Sequence, residues 1–200
     1  HIVICGQRGD KVKKNKIYYI LMIVCIAMIV CFTGCGKKNT TQYIRYEKLD
    51  DGTYCVKELT DAGKDASEIT VPSEYEGIKV TAIGRGAFQD SHNLKTVHIA
   101  DSVTSILENA FLHCSGLEHV NLSEDTIEVI GANAFEGTKW QSNILADKGI
   151  VIVGSIYVNG KQVSGEYSIP DNVKIIAAEA FKDNKNITKI VIPEGVKTLG

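Results

Sequence analysis

An Ala-Phe dipeptide recurs along this chain at nearly constant spacing. The four copies are Ala87-Phe88, Ala110-Phe111, Ala134-Phe135 and Ala180-Phe181. Successive copies are 23, 24 and 46 residues apart, and 46 is twice 23. A fixed period of this length is typical of a solenoid, in which one short structural unit stacks on copies of itself. The spacing therefore constrains the architecture strongly but leaves the function open, because solenoids bind many kinds of ligand.

Aliphatic residues recur in phase with the dipeptide. Each alanine follows an isoleucine by four residues, and a Val or Ile lies three residues earlier still. Downstream comes Leu94-x-x-Val97-x-Ile99, with equivalents at 117–122 and 187–192. This spacing is the strand signature of leucine-rich repeats. Because alternate strand residues face opposite ways, Val97 and Ile99 are predicted to point inward.

The longer pattern in Val80-Thr-Ala-Ile83-Gly84-Arg-Gly-Ala87-Phe88 resembles the BspA-like leucine-rich repeats of bacterial surface proteins. The resemblance covers roughly residues 69–200, with departures at Leu107, Gln141 and Ala177. It implies a mainly β fold with short helical turns, a leucine-rich-repeat solenoid of ~23-residue coils. Members of the family are often extracellular adhesion or host-protein-binding proteins, and they share no catalytic site.

One motif is missing between Phe135 and Ala180. The segment 150–169 instead holds two apolar runs and the dipeptide Asn159-Gly160, which favours a tight hairpin turn. We interpret it as a degenerate repeat whose convex side is replaced by a β-hairpin, within an irregular insert at 141–168. Trp140 is expected to pack against this insert rather than to offer a sugar platform.

The N-terminal segment has the order of an export signal. Lysines at 11–16 precede an apolar run at 17–32, which is short for a membrane span, and Thr33-Gly34-Cys35 follows. The order resembles a bacterial lipoprotein signal and implies that Cys35 is acylated and becomes the first mature residue, anchored on the cell surface. An uncleaved membrane anchor is the alternative.

These features predict four regions. Residues 1–34 are upstream sequence and a removed signal peptide, and residues 35–42 form a lipidated tether. Residues 43–68, with an Asp-Gly turn at Asp51-Gly52, form a β-hairpin cap, and residues 69–200 hold the repeats. Because Leu199 opens another unit in phase, we expect the array to be truncated at its C-terminus.

Composition excludes several functions. Residues 1–34 hold five of the 22 basic and one of the 24 acidic residues, so the remainder has a net charge of −6. This acidity argues against nucleic acid as a partner.

A disulfide between Cys55 and Cys114 is possible in an oxidising setting, although about two coils separate them. We expect no cofactor, no metal site and no catalytic residues.

The predicted binding face is the concave side of one parallel sheet formed by strands at 95–100, 118–123 and 188–193. Its outward residues form two columns: Thr96, His119 and Lys189, and then His98, Asn121 and Val191. Extended sheets of this kind are commonly used for binding. A rival surface is the insert, where Tyr157 and Lys161 are expected to be exposed on the hairpin. The histidines are expected to be solvated residues rather than a metal pair.

Three functions remain open on the sequence alone. The first is a lipid-anchored, surface-exposed binding or adhesion module with a host or extracellular-matrix protein as its ligand. The second is the non-catalytic repeat region of a larger surface enzyme, such as a peptidase or a glycosidase. In the third, neither surface binds a ligand and the repeats hold another domain away from the membrane.

Overall fold

The structure, a computed structural model, describes residues 42–200. In chain order its elements are β1 (Ile44–Lys48), β2 (Tyr54–Leu59), α1 (Asp61–Lys64), β3 (Glu68–Val71), β4 (Glu74–Tyr75), β5 (Ile78–Ile83), β6 (Thr96–Ile99), β7 (Ser105–Ile106), β8 (His119–Asn121), β9 (Val129–Ile130), α2 (Lys139–Lys148), β10 (Val151–Val153), β11 (Ile156–Asn159), β12 (Gly165–Ser168), β13 (Ile175–Ile176), β14 (Ile187–Val191) and β15 (Thr198–Leu199). Within this range neither helix has the length and hydropathy needed to cross a bilayer.

Each regular coil contributes two strands, one on either side of the Ala-Phe turn. The strands before the turn, β5, β7 and β9, pair in parallel and align Ile83 with Ile106 and Ile130. The strands after the turn, β6 and β8, pair in parallel and align Val97 with Val120. These alignments repeat every 23 or 24 residues, as the dipeptide does. The predicted leucine-rich-repeat solenoid is confirmed, with about six turns.

One phenylalanine per coil forms a stack inside the solenoid. The Phe88 and Phe111 rings lie 4.8 Å apart between centroids, and those of Phe111 and Phe135 lie 5.3 Å apart. Both spacings are close to the distance between paired strands, so the stack follows the coils. The three side chains are at most 1% exposed. Each of these three phenylalanines therefore fills the inside of its coil.

The Ala-Phe turn depends on two residues in the left-handed backbone region. They lie two positions before and two positions after each phenylalanine: Gly86 and Asp90, Asn109 and His113, Asn133 and Gly137, Glu179 and Asp183. Their φ angles run from 54° to 75°, a region that Gly, Asn and Asp enter most readily. Backbone geometry therefore explains why these small or polar residues recur around the dipeptide.

The chain before the first coil is a β-hairpin, as predicted. Strands β1 and β2 are antiparallel, and Gly52, with φ of 85°, lies in the turn between them. Strand β2 also pairs in parallel with β5 of the first coil. The hairpin buries Ile44, Val56 and Leu59 in the core. It covers the open end of the first coil, which would otherwise expose apolar side chains to water.

Helix α2 replaces a strand of the third coil, and the sequence analysis did not predict it. Gln141 occupies the position of Leu94 and Leu117, and it is buried. Its Nε2 donates to Glu136 Oε2 at 3.1 Å, which satisfies an amide that the apolar core could not. The Thr138 hydroxyl caps the helix by accepting from Gln141 N, and Gly149 ends it with φ of 72°.

The insert contains a hairpin, but its turn is not where the sequence placed it. Strands β10 and β11 pair directly from Val153 to Ile156, so the turn is Gly154-Ser155. Asn159 instead ends β11. This strand joins the row of strands that precede the turns, where Tyr157 aligns with Ile176 of β13. The hairpin therefore supplies the strand that precedes the turn in the fourth coil. It does not replace the convex side of that coil.

Candidate functional site: the outer face of the strands after the turn

Four of the six predicted face residues lie together. Thr96 aligns with His119, and His98 aligns with Asn121, across the parallel pair β6 and β8. The alternate residue Val97 is fully buried, so the strand alternation sends the polar side chains outward. The two predicted columns exist for these four residues.

Strand β3, which the repeat spacing did not predict, extends both columns by one residue. Glu68 aligns with Thr96, and Thr70 aligns with His98. The signal was the alternation Ile69-Thr70-Val71, which continues the strand pattern one unit earlier than the first Ala-Phe copy. We call the six residues Glu68, Thr70, Thr96, His98, His119 and Asn121 the outer face.

His98 connects all three strands of the outer face. Its Nε2 lies 3.3 Å from Glu68 Oε1, and its Nδ1 lies 3.0 Å from Asn121 Nδ2. An amide NH₂ donates, so Nδ1 accepts and the Nε2 proton is directed at the Glu68 carboxylate. A neutral imidazole satisfies both contacts at once. The network fixes the His98 ring. No side-chain hydrogen bond within residues 42–200 engages His119, Thr96 or Thr70, so their polar groups are available at the surface.

The other two predicted residues lie in a different sheet. Strand β14 pairs with β12, so Lys189 aligns with Glu166 and Val191 with Ser168. Lys189 Nζ lies 3.3 Å from Glu166 Oε2. The prediction of one sheet through all three strands is therefore wrong. The sheet of β3, β6 and β8 ends at β8, because α2 takes the place of the next strand.

Helix α2 also contributes a charge beside the outer face. Lys139 Nζ donates to Glu118 Oε1 at 2.8 Å, next to His119. This hydrogen bond and the lysine charge hold the pKa of Glu118 below its ordinary value. The surface around the outer face thus carries paired charges of both signs. It suits a ligand with mixed polar groups better than a ligand of one charge.

The rival surface at Tyr157 does not exist as predicted. Tyr157 is fully buried, and its ring stacks on Phe181 with 5.1 Å between centroids. It fills the space that the missing phenylalanine of the fourth coil would occupy. Lys161 is partly exposed, and its Nζ donates to Glu136 Oε2 at 3.1 Å. The prediction that Tyr157 is exposed is wrong because the Asn-Gly signal was read as the hairpin turn.

The remaining candidates are thiols and metal ligands. Cys55 and Cys114 are both buried and free, so the possible disulfide between them is not formed. Burial raises the pKa of the Cys114 thiol to about 12, and its Sγ lies 2.9 Å from the Phe88 carbonyl oxygen. Across residues 42–200 the structure contains no group of three His, Cys, Asp or Glu side chains suited to a metal ion.

Trp140 packs on Phe135, with 4.6 Å between the ring centroids. It also lines a cleft with Ile144 and Ile150 of the insert, in line with the expected packing. The predicted lipidation site, Cys35, lies outside the described residues.

Solved structures with the same fold include two bacterial proteins. The T. pallidum leucine-rich repeat protein TpLRR is 19% identical, with a TM-score of 0.54 and 82% of each chain covered. A leucine-rich cell surface protein from Faecalibacterium prausnitzii A2-165 is 20% identical, with a TM-score of 0.52. That match covers 84% of this chain and 45% of the other. At such identities the likeness concerns the fold alone.

No curated protein matches the chain. A family model does: the BspA-type leucine-rich repeat region matches residues 81–200 in six copies. The match spans more than half of the sequence and contains every Ala-Phe turn. The chain belongs to the BspA-type leucine-rich repeat family.

Proposed function

We propose that this chain is a binding module held at the bacterial cell surface, with a host or extracellular-matrix protein as its ligand. The module is anchored through a lipid on Cys35, which is followed by a tether at 35–42, a cap at 43–68 and the repeats. One observation carries the proposal. The outward side chains of three stacked strands are polar without exception, while their inward neighbours are aliphatic.

The outer face is the surface that we assign to the ligand. It combines a carboxylate, two imidazoles, two hydroxyls and an amide within three adjacent strands. These groups both donate and accept hydrogen bonds, as a protein surface requires. The sheet holds them on a rigid backbone, so binding costs little conformational entropy. Membership of the family and the likeness in fold to a leucine-rich cell surface protein support the location.

The test compares two triple variants of the purified protein. His98/His119/Asn121→Ala removes three groups of the outer face. The matched control, His92→Ala/His113→Asn/Ser115→Ala, also removes two imidazoles and one small polar side chain, and asparagine suits the left-handed backbone at position 113. Its residues lie on the turns, where His92 Nδ1 is 3.1 Å from Ser115 Oγ and His113 Nδ1 is 3.3 Å from Asp90 Oδ1.

Both variants and the wild type are used to capture proteins from solubilised extracellular matrix. We expect wild-type capture by the control and a loss of about tenfold or more in the outer-face variant, since truncated polar groups at the centre of an interface are costly. Circular dichroism must show that both variants are folded. Equal capture by all three proteins would reject the outer face as the site. No capture even by the wild type would favour a spacer role for the repeats.

A further inference from the structure

Strand β8 has an open edge in the part of the chain that the structure describes. The sheet order is β3, β6, β8, and no strand among residues 42–200 follows β8. His119 N donates to Lys95 O at 3.1 Å, so His119 directs its backbone groups toward β6. The N–H and C=O of the next residue, Val120, therefore point away from β6. No backbone hydrogen bond within residues 42–200 uses these two outward groups.

Helix α2 covers only the beginning of this edge. Trp140 N donates to Leu117 O at 2.7 Å, two residues before β8 begins. A helix with its side chains is about 10 Å wide, whereas paired strands lie about 4.8 Å apart. The helix therefore cannot lie along β8 as a strand would. It diverges from β8 and leaves a cleft beside Val120 and Leu122.

The cleft has a volume of about 380 Å³, within the range of small ligand pockets. Three elements line it with one regular row of side chains each: Val120 and Leu122, Trp140 and Ile144, and Ile150 and Ile152. The strand and hairpin residues are spaced by two and the helix residues by four, so each row lies on one face. Val120 is only half-buried here, while its counterpart Val97 is fully buried.

Two charged side chains line the cleft, Glu124 and Lys148. Glu124 Oε2 accepts a hydrogen bond from Gly154 N at 3.1 Å. Within residues 42–200 no carboxylate forms an ion pair with Lys148. The ammonium of Lys148 is therefore available to an acidic group on a ligand.

We propose that an extended peptide binds here by adding to the β8 edge as a parallel strand and placing an apolar side chain in the cleft. Only a polypeptide backbone offers the alternating donors and acceptors that the Val120 edge requires. An acyl chain would fill the cleft but leave the edge unpaired. An acidic residue of the peptide would pair with Lys148, which lines the same cleft. The inference rests on the proposed function in one respect, which is that the ligand is a protein.

The probe is a synthetic peptide that copies residues 94–101 of this chain. Those residues include β6, which already pairs with β8 on its other side, and they end in Asp101. A control peptide has the same sequence with N-methyl groups on the amides of its Thr and His. The N-methyl groups remove the donors directed at β8 and leave every side chain in place.

The peptides are titrated into the purified full chain, and hydrogen exchange is measured at individual amides. We expect the first peptide to bind and to slow exchange of the Val120 amide by about tenfold or more, because that amide gains a partner. The N-methylated peptide should bind at least about tenfold more weakly. Equal binding of both peptides, or binding without protection of Val120, overturns the proposal. So does failure of the first peptide to bind at about 1 mM, the weakest range of specific association.

Two protein variants test whether the peptide binds in the cleft or elsewhere on the protein. Ile144→Lys fills the cleft with a charged chain and should abolish peptide binding. Asn143→Lys introduces the same residue on the exposed side of the same helix, and this variant should bind the peptide as the wild type does. Equal affinities of the two folded variants would place the peptide elsewhere. Should Ile144→Lys fail to fold, the exchange measurement on the wild type decides alone. Capture of matrix protein through the outer face is a separate readout, so either proposal can fail alone.

Discussion

Asn133 Nδ2 donates a hydrogen bond to Glu179 Oε2 at 2.9 Å across 46 residues of sequence. Elsewhere the turns are linked over one period, as between Phe111 N and Ala134 O, 23 residues apart. The longer link exists because the fourth coil has no Ala-Phe turn. The turns of the third and fifth coils therefore become neighbours. The row of turns is therefore continuous, whereas the row of strands that follow the turns is interrupted at α2.

Phe111→Ala should lower the free energy of unfolding by about 3–5 kcal/mol, the usual cost of truncating a buried phenylalanine. Phe111 is fully buried between the rings of Phe88 and Phe135. Chemical denaturation midpoints measure the loss. Gln89→Ala, an exposed change on the neighbouring turn of Phe88, should stay within about 0.5 kcal/mol. A loss below about 1 kcal/mol for Phe111→Ala would show that the stack is not a packed core.

Tyr157→Phe should leave stability unchanged or raise it by up to about 1 kcal/mol. The Tyr157 hydroxyl is buried without a hydrogen-bond partner within the described residues, and a buried unpaired polar group destabilises the fold. Tyr157→Ala should instead cost about 3–5 kcal/mol, because it removes the ring that stacks on Phe181. Thermal unfolding distinguishes the two. A substantial loss in Tyr157→Phe would mean that the hydroxyl is paired after all.

Stability should fall as the pH rises above about 9. Burial raises the pKa of Cys114 from 9.0 to about 12, while an unfolded chain releases this proton near 9. Above that pH the unfolded state binds fewer protons than the folded state, so deprotonation favours unfolding. The stability that the protonated thiol contributes is fully present below pH 9 and is lost progressively between pH 9 and about pH 12. Burial likewise raises the pKa of Tyr46, from 10.0 to about 12.

The measurement for this prediction is the unfolding midpoint of wild type and Cys114→Ala at pH 8 and at about pH 10.5. The variant should lose less stability between the two values, because it has no thiol to titrate. The Phe88 carbonyl stays paired in the variant, since it also accepts from Ser91 N at 3.1 Å. If both proteins lose the same stability between the two pH values, the thiol does not contribute to the pH dependence.

Cys35→Ala should abolish acylation and release the protein from the membrane. The reason is the order of basic residues, apolar run and Thr-Gly-Cys in the sequence. Growth with a labelled fatty acid, followed by fractionation, provides the measurement. Cys55→Ala is the matched control, and it should keep both the label and the location. Equal labelling of wild type and Cys35→Ala would refute the anchor.

The regular coils could be predicted from the sequence because each one is specified by several agreeing signals. Around Phe88 the aliphatic residues, the small alanine and the left-handed Gly86 and Asp90 all recur with one period. An error at any one position would still leave the register fixed by the others. The four outward residues of β6 and β8 follow directly from that register. Glu68 was missed because its strand precedes the first dipeptide.

The insert could not be predicted in the same way, because there local signals compete with the repeat. Thr138 and Gly149 are good helix-ending residues, and Trp140, Ile144 and Lys148 share one helix face. Taken alone, these residues favour a helix. The interpretation of 141–168 as an irregular insert overlooked this helical spacing. Asn159-Gly160 similarly suggested a turn, although the chain turns five residues earlier at Gly154-Ser155.

Strand β11 divides the interior of the molecule. Its consecutive residues Ile156 and Tyr157 are both fully buried, but they belong to different apolar clusters on opposite faces of the strand. Such a partition lets one part of the chain extend under force while the other part holds. Because coupling between repeats passes through their interfaces, we expect two rupture events when the chain is pulled from its ends. The boundary at β11 would then separate the first coils, which carry the outer face, from the coils that follow.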